Sequence, residues 1–72
     1  MNEEIRVIIN KTEVLALEME TNIDNLINSI VKLEEYQDSY EDDEKLISKE
    51  MKNNEIISRV QQKMDDLGDK LY

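Results

Sequence analysis

The sequence predicts an all-α fold, an antiparallel two-helix hairpin of the coiled-coil type. Three features predict it. The 72 residues contain no proline and a single glycine, Gly68, so the chain holds few residues that break a helix. Apolar residues recur at alternating steps of three and four, the spacing of one helix face. A serine and acidic cluster in the middle of the chain separates two such patterns.

The first helix is predicted over about residues 10–37. Its apolar positions follow the a and d positions of a heptad repeat, with no polar member from Ala16 to Leu33. This first seam consists of Ala16, Met19, Ile23, Leu26, Ile30 and Leu33. Asn2 and Asn10 are both suitable helix starts. Residues 1–10 are therefore left open between a frayed end and a short N-terminal helical segment.

The second helix is predicted over about residues 43–68, after a turn at about 38–42. Ser39 with Asp42 three residues later is similar to a capping box, and acidic residues favour a helix N-terminus. Asn53 and Asn54 are poor helix formers, so a bend is predicted there. Gly68 is left open between a helix end and terminal fraying. The second seam consists of Ile57, Val60, Met64, Leu67 and Leu71.

Apolar residues outside the seams predict a protein partner. Helices joined by a short loop pack antiparallel, so the two seams are expected to face each other. A two-helix hairpin cannot also cover the apolar side chains that lie off the seams, and such surface marks an interaction site. The predicted partner-binding residues are Val14, Leu17, Ile27, Val31, Ile47, Met51 and Ile56. For the free chain, we expect self-association, with a homodimer as one form, or loose folding.

The composition argues against an enzyme. The chain has no cysteine and no histidine, which removes thiolate metal sites, disulfides and the commonest general base. The acidic run at 38–44 does not fit a calcium-binding EF-hand loop, which would need glycine in place of Asp43 and glutamate in place of Lys49. We therefore expect no catalytic residue, no cofactor and no metal.

The charge and hydropathy patterns predict where the chain works. Its net charge of −9 repels phosphate, so binding to nucleic acid or to an anionic membrane is not expected. No apolar run approaches the roughly 20 residues that span a bilayer. The first residues lack the basic region of a signal peptide. A cytoplasmic protein is predicted.

As a whole, the chain resembles the small needle co-chaperones of type III secretion systems, the YscE/PscE/EscE family. The resemblance covers nearly all 72 residues and is carried by length, acidic charge, the absence of cysteine, the two seams and the turn at Asp38–Glu44. It implies a co-chaperone that binds and stabilises a tetratricopeptide-like, helical-repeat chaperone. Through that chaperone it would keep the needle subunit unpolymerised in the cytoplasm.

Two other functions stay open. The first is a generic self-associating coiled-coil module with a structural or regulatory role. The second rests on residues 61–65, Gln-Gln-Lys-Met-Asp, which are similar to the Ser-Gln-Glu-Leu-Asp signature of small two-helix sporulation phosphatases. In those proteins the aspartate attacks a response-regulator phosphate. The serine and the glutamate of that signature are missing here.

Overall fold

The computed structural model describes residues 2–71, and these residues form helices connected by short turns. Helix α1 spans Asn2–Glu35, α2 is the single turn Gln37–Tyr40, and α3 spans Glu44–Leu71. No strand occurs within residues 2–71, so the all-α prediction is confirmed. The chain divides into two units, Met1–Tyr36 with α1 and Gln37–Tyr72 with α2 and α3.

Helix α1 begins at Asn2 rather than at about residue 10. Glu3 and Glu4 lie in its first turn, where carboxylates interact favourably with the helix dipole. Arg6 pairs with Glu3 across one turn, and the hydroxyl of Thr12 donates a hydrogen bond to the carbonyl of Ile8 at 2.7 Å. Residues 2–10 are therefore a continuous part of α1, and the helix is about 50 Å long at 1.5 Å per residue.

The segment between α1 and α3 is more helical than the predicted turn at about 38–42. After α1 ends at Glu35, the amide of Tyr36 donates to the carbonyl of Leu33 at 3.1 Å, a step of three residues that tightens the last turn. Residues 37–40 then form α2. The amide of Asp43 donates to the carbonyl of Tyr40 at 2.9 Å. Only residues 41–43 between α2 and α3 lie outside a helix.

Asp43 caps the N-terminus of α3. Its side-chain Oδ1 accepts hydrogen bonds from the amides of Lys45 and Leu46, at 3.1 and 3.2 Å. Its carbonyl accepts the first helical bond, from the amide of Ile47 at 2.9 Å. This is the geometry of an N-cap aspartate, which binds the second and third amides of the helix. The capping-box residue Ser39 lies instead inside α2.

Helix α3 runs without interruption through Asn53, Asn54 and Gly68 to Leu71, where an end at about residue 68 was predicted. Gly68 does not adopt a positive φ, so it does not form a left-handed helix cap. A Cβ built on Gly68 meets nothing within 4 Å. Within residues 2–71, no helix combines the length and the apolar character needed to cross a membrane.

We expect Asp43→Ala to destabilise the start of α3 by about 1 kcal/mol, because two helix amides lose their acceptor. Hydrogen exchange measured by NMR should show faster exchange of the Lys45 and Leu46 amides. Asp42→Ala is the matched control, since it removes one neighbouring carboxylate without removing these bonds. Equal exchange rates at both amides in the wild type and in Asp43→Ala would contradict the assignment of the cap.

We expect Gly68→Ala to stabilise α3 by about 0.5–1 kcal/mol, because alanine loses less backbone entropy in a helix than glycine and the added Cβ has open space. Circular dichroism at 222 nm during a urea titration measures the effect. A Gly68→Ala chain that is less helical than the wild type would contradict the open space found around this glycine.

Candidate protein-interaction surface

Apolar side chains lie exposed along both long helices. None of the residues from 2 to 71 is buried. A single helix has no interior, and in proteins most of the stability of a helix comes from packing its apolar face against another element. The apolar residues of each unit therefore require cover from outside their own helix.

The predicted partner-binding residues are accessible, with one exception. Val14 and Leu17 on α1 are each 55% exposed. The other exposed members are Ile27, Val31, Met51 and Ile56. Ile47 is half-buried near the start of α3. Their accessibility allows an interface at these positions, and the assignment of them to an interface stays a prediction.

The seam residues are covered to different degrees along each helix. Those in the central part are half-buried: Met19, Ile23, Leu26, Ile30, Ile57 and Val60. Those nearer the helix ends are exposed: Ala16, Leu33, Met64, Leu67 and Leu71. Side chains three and four residues apart on a helix lie next to each other, so adjacent seam residues form a continuous apolar stripe. That the two stripes face each other stays a prediction.

The N-terminal half of α1 is apolar on two opposite sides. Nine residues separate Val14 from Ile23, which places their side chains about 180° apart around the helix. Val7, Val14 and Leu17 form what we call the outer row, on the side opposite the first seam, and all three are exposed. One neighbouring helix cannot cover both sides. This half of α1 therefore requires two neighbours.

Two exposed residues beside the first seam escaped the sequence analysis. Ile8 and Leu15 are 58% and 54% exposed, and they widen the apolar stripe on the seam side of α1. Their seven-residue spacing was visible in the sequence. The pattern became a helix face only once α1 was found to begin at Asn2, because Ile8 precedes the predicted start of the helix.

A side-chain hydrogen bond joins α2 to α3. The hydroxyl of Tyr40 donates to the carboxylate of Glu50, and both residues are half-buried. This bond raises the pKa of the Tyr40 phenol, with partial desolvation and the negative charge of Glu50 acting in the same direction. Tyr36 is exposed, but the Tyr40 hydroxyl is bonded to protein.

The polar residues supply caps and surface charge. Among residues 2–71, no group of three or more acidic side chains is placed to hold a metal ion. Asp43, in the acidic run, holds the amides at the start of α3. The surface therefore consists of exposed apolar side chains with acidic residues around them.

Comparison with known proteins identifies no relative of this chain. No family model, no curated protein and no solved structure matches this chain. Function must therefore be inferred from the physical character of the surface: two long helices, continuous apolar stripes and a net negative charge.

We expect Tyr40 to titrate above the ordinary phenol pKa of about 10. The protonated hydroxyl donates the bond to Glu50, so its contribution to stability is complete below about pH 10. That contribution is lost as the pH rises through the raised pKa. Absorbance at 295 nm reports Tyr40 alone in a chain carrying Tyr36→Phe and Tyr72→Phe.

Adding Glu50→Ala to that chain should lower the midpoint towards the ordinary value, because the acceptor and its charge are both removed. Glu55→Ala is the matched control on the same helix. A midpoint that Glu50→Ala leaves unchanged would rule out the hydrogen bond in solution.

Proposed function

We propose that this chain is a small acidic co-chaperone that binds a tetratricopeptide-like chaperone of a type III secretion needle subunit. In this proposal the chain works in the cytoplasm. It stabilises the helical-repeat chaperone, and the chaperone in turn holds the needle subunit unpolymerised. The observation that supports the proposal is the set of apolar side chains exposed along both helices, since pairing of the two seams would leave part of this set uncovered.

The working form in this proposal is an antiparallel hairpin of α1 and α3. Two features support it. The segment from 36 to 43 is short, and consecutive helices with short connections pack side by side in opposite directions. Each helix also carries one heptad seam, and burying two seams against each other removes the largest apolar stripe of each helix from water.

The partner binds the apolar residues that the hairpin leaves uncovered. Val14 and Leu17 on α1 are the first anchors, and α3 contributes further side chains such as Ile56. A helical-repeat protein presents an extended concave surface between its stacked helices. Docking an amphipathic hairpin in such a groove buries apolar surface without any catalytic group. This use matches the residues that the chain offers.

The test is co-expression of this chain with a tetratricopeptide-like needle chaperone, followed by pulldown. We expect Val14→Asp combined with Leu17→Asp to weaken the complex by at least about 100-fold. Each buried anchor contributes on the order of 1.5–3 kcal/mol, and each 1.4 kcal/mol is a factor of ten in affinity. Helicity by circular dichroism should be unchanged, because both sites lie on the side of α1 opposite the seam.

Asn25→Asp combined with Asn28→Asp is the matched control. It adds the same two negative charges to α1 and removes no apolar side chain. We expect this control to retain the chaperone. A complex that survives Val14→Asp with Leu17→Asp would reject the anchors.

Self-association is the competing account, because a homodimer could bury the same residues. Sedimentation equilibrium of the free chain separates the two. If Val14→Asp with Leu17→Asp dissociates a homodimer but leaves the chaperone complex intact, the outer side of α1 serves self-association rather than chaperone binding.

A further inference from the structure

The outer row of α1 has a charge environment that specifies the partner more closely. Helix α1 carries eight acidic and three basic side chains, a net charge of −5, while α3 carries six of each and is neutral. The negative charge of the two long helices is thus concentrated on the helix that bears Val7, Val14 and Leu17.

Carboxylates lie directly beside the outer row. Glu13 and Glu20 are four residues before and three residues after Leu17, so they are its neighbours on the helix surface. Glu18 is four residues after Val14, so it is likewise a neighbour of Val14 on the helix surface. A shallow depression in the surface is lined by Leu17, Glu18, Thr21 and Asn22. Leu17 therefore lies between two carboxylates along the helix, whereas Val14 lies between Lys11 and Glu18.

The amino-terminal end of the row is close to neutral. Arg6 pairs with Glu3 there, and Lys11 lies four residues after Val7. The electrostatic field along the row is therefore uneven: it is balanced near Val7 and acidic near Leu17. A ligand that complements the row needs apolar side chains along its length and positive charge at the Leu17 end.

We propose that the outer row of α1 docks a basic amphipathic helix, with its lysine or arginine residues beside Glu13, Glu18 and Glu20. This inference rests on the proposed function and specifies the chemistry of the partner. The row extends over about 15 Å from Val7 to Leu17, so three helical turns of a partner cover it. Apolar contacts provide the anchoring, and the flanking ion pairs set the orientation and speed the encounter.

A second copy of this chain is the competing occupant of the row. A parallel pair of α1 helices would bring the same carboxylates against each other, and like charges across an interface are unfavourable. An antiparallel pair centred on the row would instead place Lys11 opposite Glu13 of the copy. Helix α3 has no net charge, but Lys45, Lys49 and Lys52 recur on one of its faces at helical spacing. Sedimentation equilibrium of the free chain therefore accompanies the test, and a homodimer that Val14→Asp with Leu17→Asp dissociates would overturn the inference.

A designed peptide pair tests the inference. The basic probe is an amphipathic peptide of about 18 leucine and lysine residues, long enough for several helical turns. The acidic probe has glutamate at every lysine position. Fluorescence anisotropy of each labelled peptide measures its affinity for the full chain. We expect the basic probe to bind at least about 30-fold more tightly, and raising the salt from low to physiological strength to weaken it several-fold.

Substitutions distinguish binding of the basic probe at the outer row from its attraction to the overall negative charge of the chain. Val14→Asp with Leu17→Asp should weaken the basic probe by about 100-fold, because two anchors are lost, although this variant is more acidic. Asn25→Asp with Asn28→Asp adds the same charge and should leave its affinity within about twofold, since it removes no anchor. Glu13→Lys with Glu20→Lys should reverse the preference in favour of the acidic probe.

Unchanged binding of the basic probe to Val14→Asp with Leu17→Asp would overturn the inference, since attraction to the whole acidic surface would then explain it. Equal binding of both probes to the wild type would also overturn it. The proposed function fails separately. If the basic probe binds the row but the needle chaperone does not, the partner is another protein. If the chaperone binds through Val14 and Leu17 but the basic probe does not, the co-chaperone stands and the partner chemistry is rejected.

Discussion

The need to cover apolar helix faces governs this protein. A chain without proline, and with one glycine, readily forms long helices, and each long helix here carries an apolar stripe. No residue from 2 to 71 is buried, so neither unit has a core of its own. The stability of such helices depends on packing against another element. The stability of both long helices therefore depends on contacts that lie outside each helix.

Hydrogen bonds within residues 36–50 determine where the second long helix begins. Asp43 provides both a side-chain and a backbone acceptor for the first amides of α3. Tyr40, in α2, donates a hydrogen bond to Glu50, which lies more than one turn into α3. This bond holds the short helix α2 against the start of α3. The start of α3 is thus organised by polar contacts.

The two apolar sides of α1 differ in length and in the charges beside them. The seam side is continuous over most of the helix and suits a neighbouring helix with a heptad repeat. The outer row is shorter and lies among carboxylates, which suits a ligand of opposite charge. An apolar surface alone accepts many partners, and specificity arises when wrong partners meet unfavourable charge. The two sides of α1 therefore differ in the kind of neighbour that they suit.

The sequence alone determined the helical class, the two seams and the exposed apolar residues such as Val14 and Leu17. Helical periodicity is local, so it can be read from spacing. Where several residues could begin or cap a helix, the tertiary structure decided which of them does. Asn2 rather than residue 10 begins α1, because no residue between them interrupts the helix. Asp43 rather than Ser39 caps α3, because only one of several candidate acceptors lies against its free amides. The bond from Tyr40 to Glu50 has no periodic signature in the sequence. It depends on how the chain turns through residues 41–43, so only the tertiary structure decides it.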